Sequence, residues 1–168
     1  MLPLPVYPLL TEQAIEFLEE FLSGRSARVL EFGAGSSTVW LASRVAELTA
    51  IEHSPVWVQD VRRQLRGMRL NATVIQAREG YATAHEQVGG MFDLVLIDGR
   101  DRPECIEATY LRVACGGVLM LDNAERPRYA EAVELLASWQ HTSTKQVGPR
   151  ALDGFGYPGW KTDWWRKP

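Results

Sequence analysis

The chain has 168 residues, enough for one domain that buries a substantial core without disulfide or metal support. It is 46% hydrophobic and 23% charged, with a formal net charge of −3. That composition belongs to a folded protein rather than a disordered one, and no run of Lys and Arg marks nucleic acid as the main partner.

The opening stretch is apolar but is broken by Pro3, Pro5 and Pro8 and lacks a cationic lead-in, so it does not read as a signal peptide. No segment approaches the roughly 20 apolar residues of a membrane helix, so no membrane partner is expected. Thr11 can cap a helix that carries Ala14, Ile15, Leu18, Phe21 and Leu22 on one stripe and stops at Gly24. Residues 1–25 are thus an N-terminal segment and helix, and 28–166 the core of a single domain.

Arg28–Phe32 reads as a short apolar strand ending in a Gly-rich turn. Ser36 or Ser37 caps a helix reaching about Ala46, and Leu48–Glu52 is a second strand. Pro55 opens a helix to about Met68, Thr73–Gln76 is a third strand, and a helix is expected near Gly80–Gln87. Phe92–Ile97 is a continuous apolar run of the kind buried in parallel sheets. Pro103 opens a helix to about Ala114, Val118–Leu121 follows Gly116-Gly117 as a strand, and Pro127 opens a helix through Trp139. The alternation predicts a single-domain α/β fold with a Rossmann-like, doubly wound, mostly parallel sheet.

Thr142–Val147 and Trp160–Arg166 break the alternation: the Gly/Pro loop between them is too short for a crossover helix, so an antiparallel hairpin is expected. In its second strand Trp160 and Trp164 face one way and Trp165 the other, as core at the sheet edge. The two cysteines, Cys105 and Cys115, have no metal-ligand spacing and read as small buried hydrophobes. With no secretion signal they suit a reducing compartment, so the expected location is cytoplasmic. His85 and His141 read as surface residues.

In an open parallel sheet, ligands bind beyond the carboxyl ends of the strands where strand order reverses. Those ends carry Glu31-Phe-Gly-Ala-Gly-Ser-Ser37, Glu52-His53, Asp98-Gly-Arg-Asp-Arg102 and Asp122-Asn123. Gly33 and Gly35 let the backbone approach a ligand, and the helix start behind them offers N–H groups to an anion. A dinucleotide would call for a third glycine where Thr38 stands, and its pyrophosphate gains nothing from Glu31. A zwitterionic amino-acid end suits the loop better: Glu31 for an ammonium, Ser36 and Ser37 for a carboxylate. Glu52 is placed to accept from two ribose hydroxyls, a role that NAD and S-adenosylmethionine sites share.

The loop Val29–Thr38 resembles the first motif of class I S-adenosylmethionine-dependent methyltransferases, and Leu48–His53 the second. Phe92–Asp98 resembles the fourth and Gly116–Asp122 the fifth, so the resemblance spans about residues 28 to 166. It implies S-adenosyl-L-methionine as cofactor, held by Glu31, Gly33, Ala34, Gly35, Ser36, Ser37, Glu52 and Asp98. It further implies His53 against the adenine, with Arg78, Glu79 or Tyr81 flanking the ring.

On the acceptor side, Asp98, Asp122 and Asn123 supply three oxygen ligands at neighbouring strand ends, a set that suits Mg²⁺ or another divalent cation. The pattern is similar to the catechol and caffeoyl-CoA O-methyltransferase group, whose Asp-x-x-Lys-Asp-Arg stretch is here one residue shorter with Arg100 for the lysine. Arg100 cannot act as a base, but it can clamp an anionic acceptor or pair with a carboxylate, and Asp98 can orient acceptor or donor. Without a metal, Asp122-Asn123 would merely end a strand while Asp101 and Arg102 form a solvated ion pair.

The reading is an enzyme of O-methylation, acting on a small-molecule or glycan hydroxyl, with a homodimer as a possible partner arrangement. N-methylation, a non-catalytic nucleoside-binding module and an NAD-linked oxidoreductase are the alternatives.

Overall fold

A computed structural model of the chain describes residues 4–147 and 159–168. Among these residues, seven strands lie in one sheet in the order β3-β2-β1-β4-β5-β7-β6. These are β1 Arg28–Phe32, β2 Glu47–Glu52, β3 Thr73–Gln76, β4 Phe92–Ile97, β5 Val113–Asp122, β6 Gln140–Gln146 and β7 Trp160–Arg166. The first five are mutually parallel; β7 runs antiparallel to both β5 and β6. The α/β architecture and the antiparallel terminal hairpin are thus as the sequence predicts. The loop joining β6 to β7, called Gly/Pro-rich from sequence, lies largely outside the described residues.

Helix α1, Glu12–Leu22, buries Ala14, Ile15, Leu18, Phe21 and Leu22, and the Thr11 hydroxyl accepts from the Ala14 N–H at its start. That stripe joins Val29, Leu94, Leu96, Val118, Met120 and Trp164 on one face of the sheet, together with Trp40 and Leu41 of helix α2, Ser36–Ala42. The opposite face packs Leu30, Phe32, Val95, Ile97, Leu119 and Leu121 against helix α4, Arg102–Thr109, and the short helix α5, Ala130–Val133. Helix α3, Pro55–Gly67, covers Ala50 and Val74 with Val58, Val61 and Leu65. Alternation along each strand sends neighbouring side chains to opposite faces, and both faces are covered. The hairpin tryptophans follow it: Trp164 stacks on Phe17 of α1, with centroids 4.5 Å apart, while Trp165 joins the other core.

The helices depart from expectation where side chains cap them early. Helix α2 starts behind Gly35 rather than behind a serine, and stops at Ala42 because Ser43 and Arg44 both hydrogen-bond back to the Trp40 carbonyl. Helix α4 ends at Thr109, whose hydroxyl bonds the Cys105 carbonyl 2.6 Å away, and a 3-10 turn leads straight into β5. That strand therefore starts at Val113 and contains the two glycines. A Cβ on Gly117 would lie 2.8 Å from the Ala114 carbonyl oxygen and 2.9 Å from that of Asp93, so glycine permits the register shift against β4. Only a 3-10 turn, Ala84–Gln87, forms where a helix at 80–87 is expected. The last helix breaks into 3-10 turns around α5.

Two burial expectations are also corrected. His85 is buried with its Nδ1 3.0 Å from the Ala82 carbonyl, and burial lowers its pKa. Cys115 is exposed, whereas Cys105 is buried in α4, where burial pushes the thiol pKa up. Among the described residues, no helix is long and apolar enough to cross a membrane.

Candidate cofactor cleft

The strand order reverses between β1 and β4, and a cleft of about 630 Å³ opens at their carboxyl ends. Three strand ends line it: Gly33–Ser37 after β1, Glu52–Ser54 after β2 and Asp98–Arg100 after β4. Trp57 from α3 and Leu9 from the N-terminal segment complete the wall.

Gly33 is the residue whose conformation demands glycine, with φ +97°, and it packs directly on Gly99. A Cβ on Gly33 would sit 2.8 Å from the Gly99 Cα, and one on Gly99 would sit 2.0 Å from the Tyr81 hydroxyl. The two loops are therefore in backbone contact over a tyrosine. Tyr81 is buried and bonds the Ile51 carbonyl 3.3 Å away, the same oxygen that accepts from the Gly33 N–H at 2.8 Å. Gly35 differs: its φ is −174°, open to any residue, and a Cβ there would meet only the Trp57 Nε1 at 3.6 Å. Its missing side chain matters as space between the loop and the indole.

Glu31 lies beneath the loop and is fully buried. Like Val29 it points to the α2 face, where its carboxyl takes hydrogen bonds from the hydroxyls of Ser37 and, at 2.5 Å, Thr38. Thr38 in turn accepts from the Gly35 N–H at 2.8 Å. The residue standing where a dinucleotide loop has its third glycine thus ties Glu31 to the turn. Burial raises the Glu31 carboxyl to about 7, against the two hydroxyl bonds and helped by the nearby Glu52 charge. Glu31 is not part of the cleft wall in this arrangement; it braces the loop from below.

Glu52 does reach the cleft. It is buried at the side chain, and its Oε1 accepts from the Ser54 N–H at 2.8 Å and lies 2.9 Å from the His53 Nδ1. His53 is half-exposed beside it, edge-on to Tyr81. Gly33, Ala34, Gly35, Ser36, Ser37, Glu52, His53 and Asp98 are brought together around one cavity. Tyr81 lies behind that wall, and Arg78 and Glu79 are exposed outside it.

At the β4 end, Arg100 lines the cleft and pairs with Asp101 at 2.8 Å, both exposed. Arg102 is not the solvated partner of Asp101 that the sequence suggests. It is buried, and its Nη2 donates to the Asp98 Oδ1 at 3.0 Å. Asp122 is also buried, and its Oδ1 accepts from the Thr162 hydroxyl at 2.8 Å. Asn123 adopts a left-handed φ of 52°, and its Oδ1 accepts from Arg126 at 3.2 Å.

No protein-family model matches the sequence, and no curated protein matches it. Solved structures do. An O-methyltransferase from Bacillus cereus in complex with SAH (S-adenosylhomocysteine) aligns with a TM-score of 0.73 at 23% identity, over 98% of this chain and 84% of that one. A precorrin-6y C5,15-methyltransferase from Geobacter metallireducens aligns at 0.71 and 19% identity, over 98% and 92%. An rRNA methylase from Streptococcus thermophilus aligns at 0.66 and 16% identity, over 95% and 99%. The chain has the class I methyltransferase fold.

Within that fold, the expected cation site can be tested against the residues present. A divalent cation would need Asp98, Asp122 and Asn123 to converge, but each is engaged elsewhere, by Arg102, Thr162 and Arg126 respectively. No group of three or more His, Cys, Asp or Glu side chains comes together with metal-binding geometry among the described residues. As they stand, the two carboxylates and the amide are each held by a neighbouring side chain rather than offered to a cation.

Three wall residues, Leu9, Ser54 and Trp57, escape sequence reasoning. Leu9 carries no local signal. Trp57 does: it stands off the stripe of Val58, Val61 and Leu65 that buries α3, and a large aromatic on the polar side of a helix start is a reason to look for a ligand.

Proposed function

We propose that this protein is an S-adenosylmethionine-dependent methyltransferase acting at a hydroxyl of a small-molecule or glycan acceptor. The observation that carries the reading is the Glu52 carboxylate, held by the Ser54 N–H at the rim of the same cleft as the close-packed Gly33 loop and Asp98. A nucleoside whose ribose hydroxyls donate to Glu52 runs over Gly33–Ser37 and brings its amino-acid end toward Asp98. His53 and Trp57 offer rings to the base and the ribose.

The cofactor supplies a sulfonium methyl for in-line displacement, so this chain's contribution is alignment. Asp98 orients the ammonium or the acceptor, while Arg100, at the open end, orients an anionic acceptor group. The oxygen acceptor is supported by the name of the Bacillus cereus neighbour, and the Geobacter metallireducens neighbour makes carbon the second reading. A homodimer that closes the acceptor side, in a reducing cytoplasm, is part of the same reading.

A thermal-shift comparison tests it. SAH is expected to stabilise the protein in a dose-dependent way and NAD⁺ to leave it unchanged. Stabilisation by NAD⁺ alone would overturn the proposal in favour of an oxidoreductase.

A further inference from the structure

The strand ends of β4 and β5 are joined by a charge that the chain itself provides. Arg102 is 7% exposed and enters between them from the first turn of α4. Its Nη1 donates to the Asp122 carbonyl, its Nη2 to the Asp98 carbonyl at 3.2 Å and to Asp98 Oδ1 at 3.0 Å, and its Nε to the Gly99 carbonyl at 2.8 Å. Four acceptors from two strand ends therefore converge on one guanidinium. The planar fork of donors suits that task.

We propose that Arg102 is the resident cation of the site: it holds the Asp98 carboxylate at the cleft and occupies the space between the strand ends, so that the site binds no divalent cation. A metal drawn to Asp98 and Asp122 would lie against a buried positive charge. The carboxylate of Asp122, turned to Thr162, and the amide of Asn123, turned to Arg126, are already committed.

Arg102 acts through Asp98 and Gly99 and is a positioning residue. Its grip on the Gly99 carbonyl fixes the loop that packs on Gly33, so a shift at the β5 end is transmitted to the glycine turn. The role given to Asp98 rests on the methyltransferase reading; the exclusion of a metal does not.

The test has two arms on the full chain. In Mn²⁺ titrations followed by electron paramagnetic resonance, wild type and Asp98→Asn are expected to bind Mn²⁺ equally weakly. Binding by the wild type tighter by about tenfold would overturn the proposal. In calorimetric titrations with SAH, Arg102→Gln is expected to lose about tenfold or more in affinity, with Arg102→Lys falling between and methylguanidinium restoring part of the loss in the Gln variant. Wild-type affinity in both variants would overturn the positioning role.

Should Arg102→Gln fail to fold, the lysine variant and the Mn²⁺ arm still decide. Should the wild type not bind SAH, the methyltransferase reading falls while the Mn²⁺ result still judges the resident cation.

Discussion

The two ends of the cleft are built on different plans. At the β1–β2 end, backbone does the shaping: Gly33 on Gly99, with Gly33 N–H and Tyr81 hydroxyl sharing the Ile51 carbonyl. At the β4–β5 end, side chains do it, with Arg102, Thr162 and Arg126 each engaging a strand-end residue. The first end leaves carboxylate and ring surfaces facing a ligand; the second spends its polar groups on one another. On the proposed reading, the first end is a fixed cradle for a cofactor and the second the side that meets an acceptor.

If backbone contact is what shapes the cofactor end, adding one methyl there should do the greatest damage. Gly33→Ala sets a Cβ against the Gly99 backbone at 2.8 Å in a left-handed conformation, with no flexible atom to yield. Overpacking and backbone strain together are expected to cost about 3 kcal/mol or more in chemical denaturation, with loss of SAH binding. Gly99→Ala meets the Tyr81 hydroxyl at 2.0 Å as well as the Gly33 backbone N at 2.9 Å, so Tyr81→Phe in the same chain should recover the part of the loss that the hydroxyl causes. Equal damage with and without Tyr81→Phe would break the account.

Glu31 gives that end a pH signature. Its carboxyl, ordinarily near 4.5, is raised to about 7 by burial, so the folded state holds the proton more tightly than the unfolded chain. Its contribution to stability is complete below about 4.5 and is lost as pH rises through 7. The loss is about 3 kcal/mol across that window. Urea denaturation between pH 4.5 and 8 should show the decline in the wild type and a flatter profile in Glu31→Gln, which keeps a neutral group under the loop. Identical profiles would remove Glu31 as the cause.

The same division explains what the sequence disclosed. The cofactor end was legible because its features are local: a strand, then Gly33 and Gly35, then Thr38, all within ten residues, and Glu52 closing the next strand. Helix α1 was legible because one stripe of apolar residues at helical spacing admits one buried face. The acceptor end was not, since Asp98, Asp122 and Asn123 match a cation's ligand chemistry residue by residue. Arg102 and Arg126 stand only a few residues from Asp98 and Asn123, but no local pattern shows that they turn back onto them. The partner of Asp122, Thr162, lies 40 residues on. Helix ends at 42 and 109 were missed because side-chain bonds to backbone carbonyls, rather than propensity, stop them.

Glu52→Ala separates recognition from support. Removing the carboxylate should weaken SAH binding by about 1–3 kcal/mol in calorimetry. Stability should change little, since the Ser54 N–H that it accepts from opens a helix and can turn to water. A large fall in stability with unchanged SAH affinity would invert the assignment and make Glu52 a structural acid.

The smallest expected effect is at the other end and has the opposite sign of selectivity. The Thr162 hydroxyl donates to Asp122 and accepts from the Thr11 N–H at 3.1 Å, joining β5, β7 and the start of α1. Thr162→Val keeps the shape and the β-branch but leaves a buried carboxylate and a buried N–H each short of one bond. The cost should be about 1–2 kcal/mol in stability, with SAH affinity within about a factor of two of wild type. Should Thr162→Val instead spare stability and abolish SAH binding, Asp122 would have to belong to the ligand rather than to the frame. The β5 end would then be a recognition surface after all.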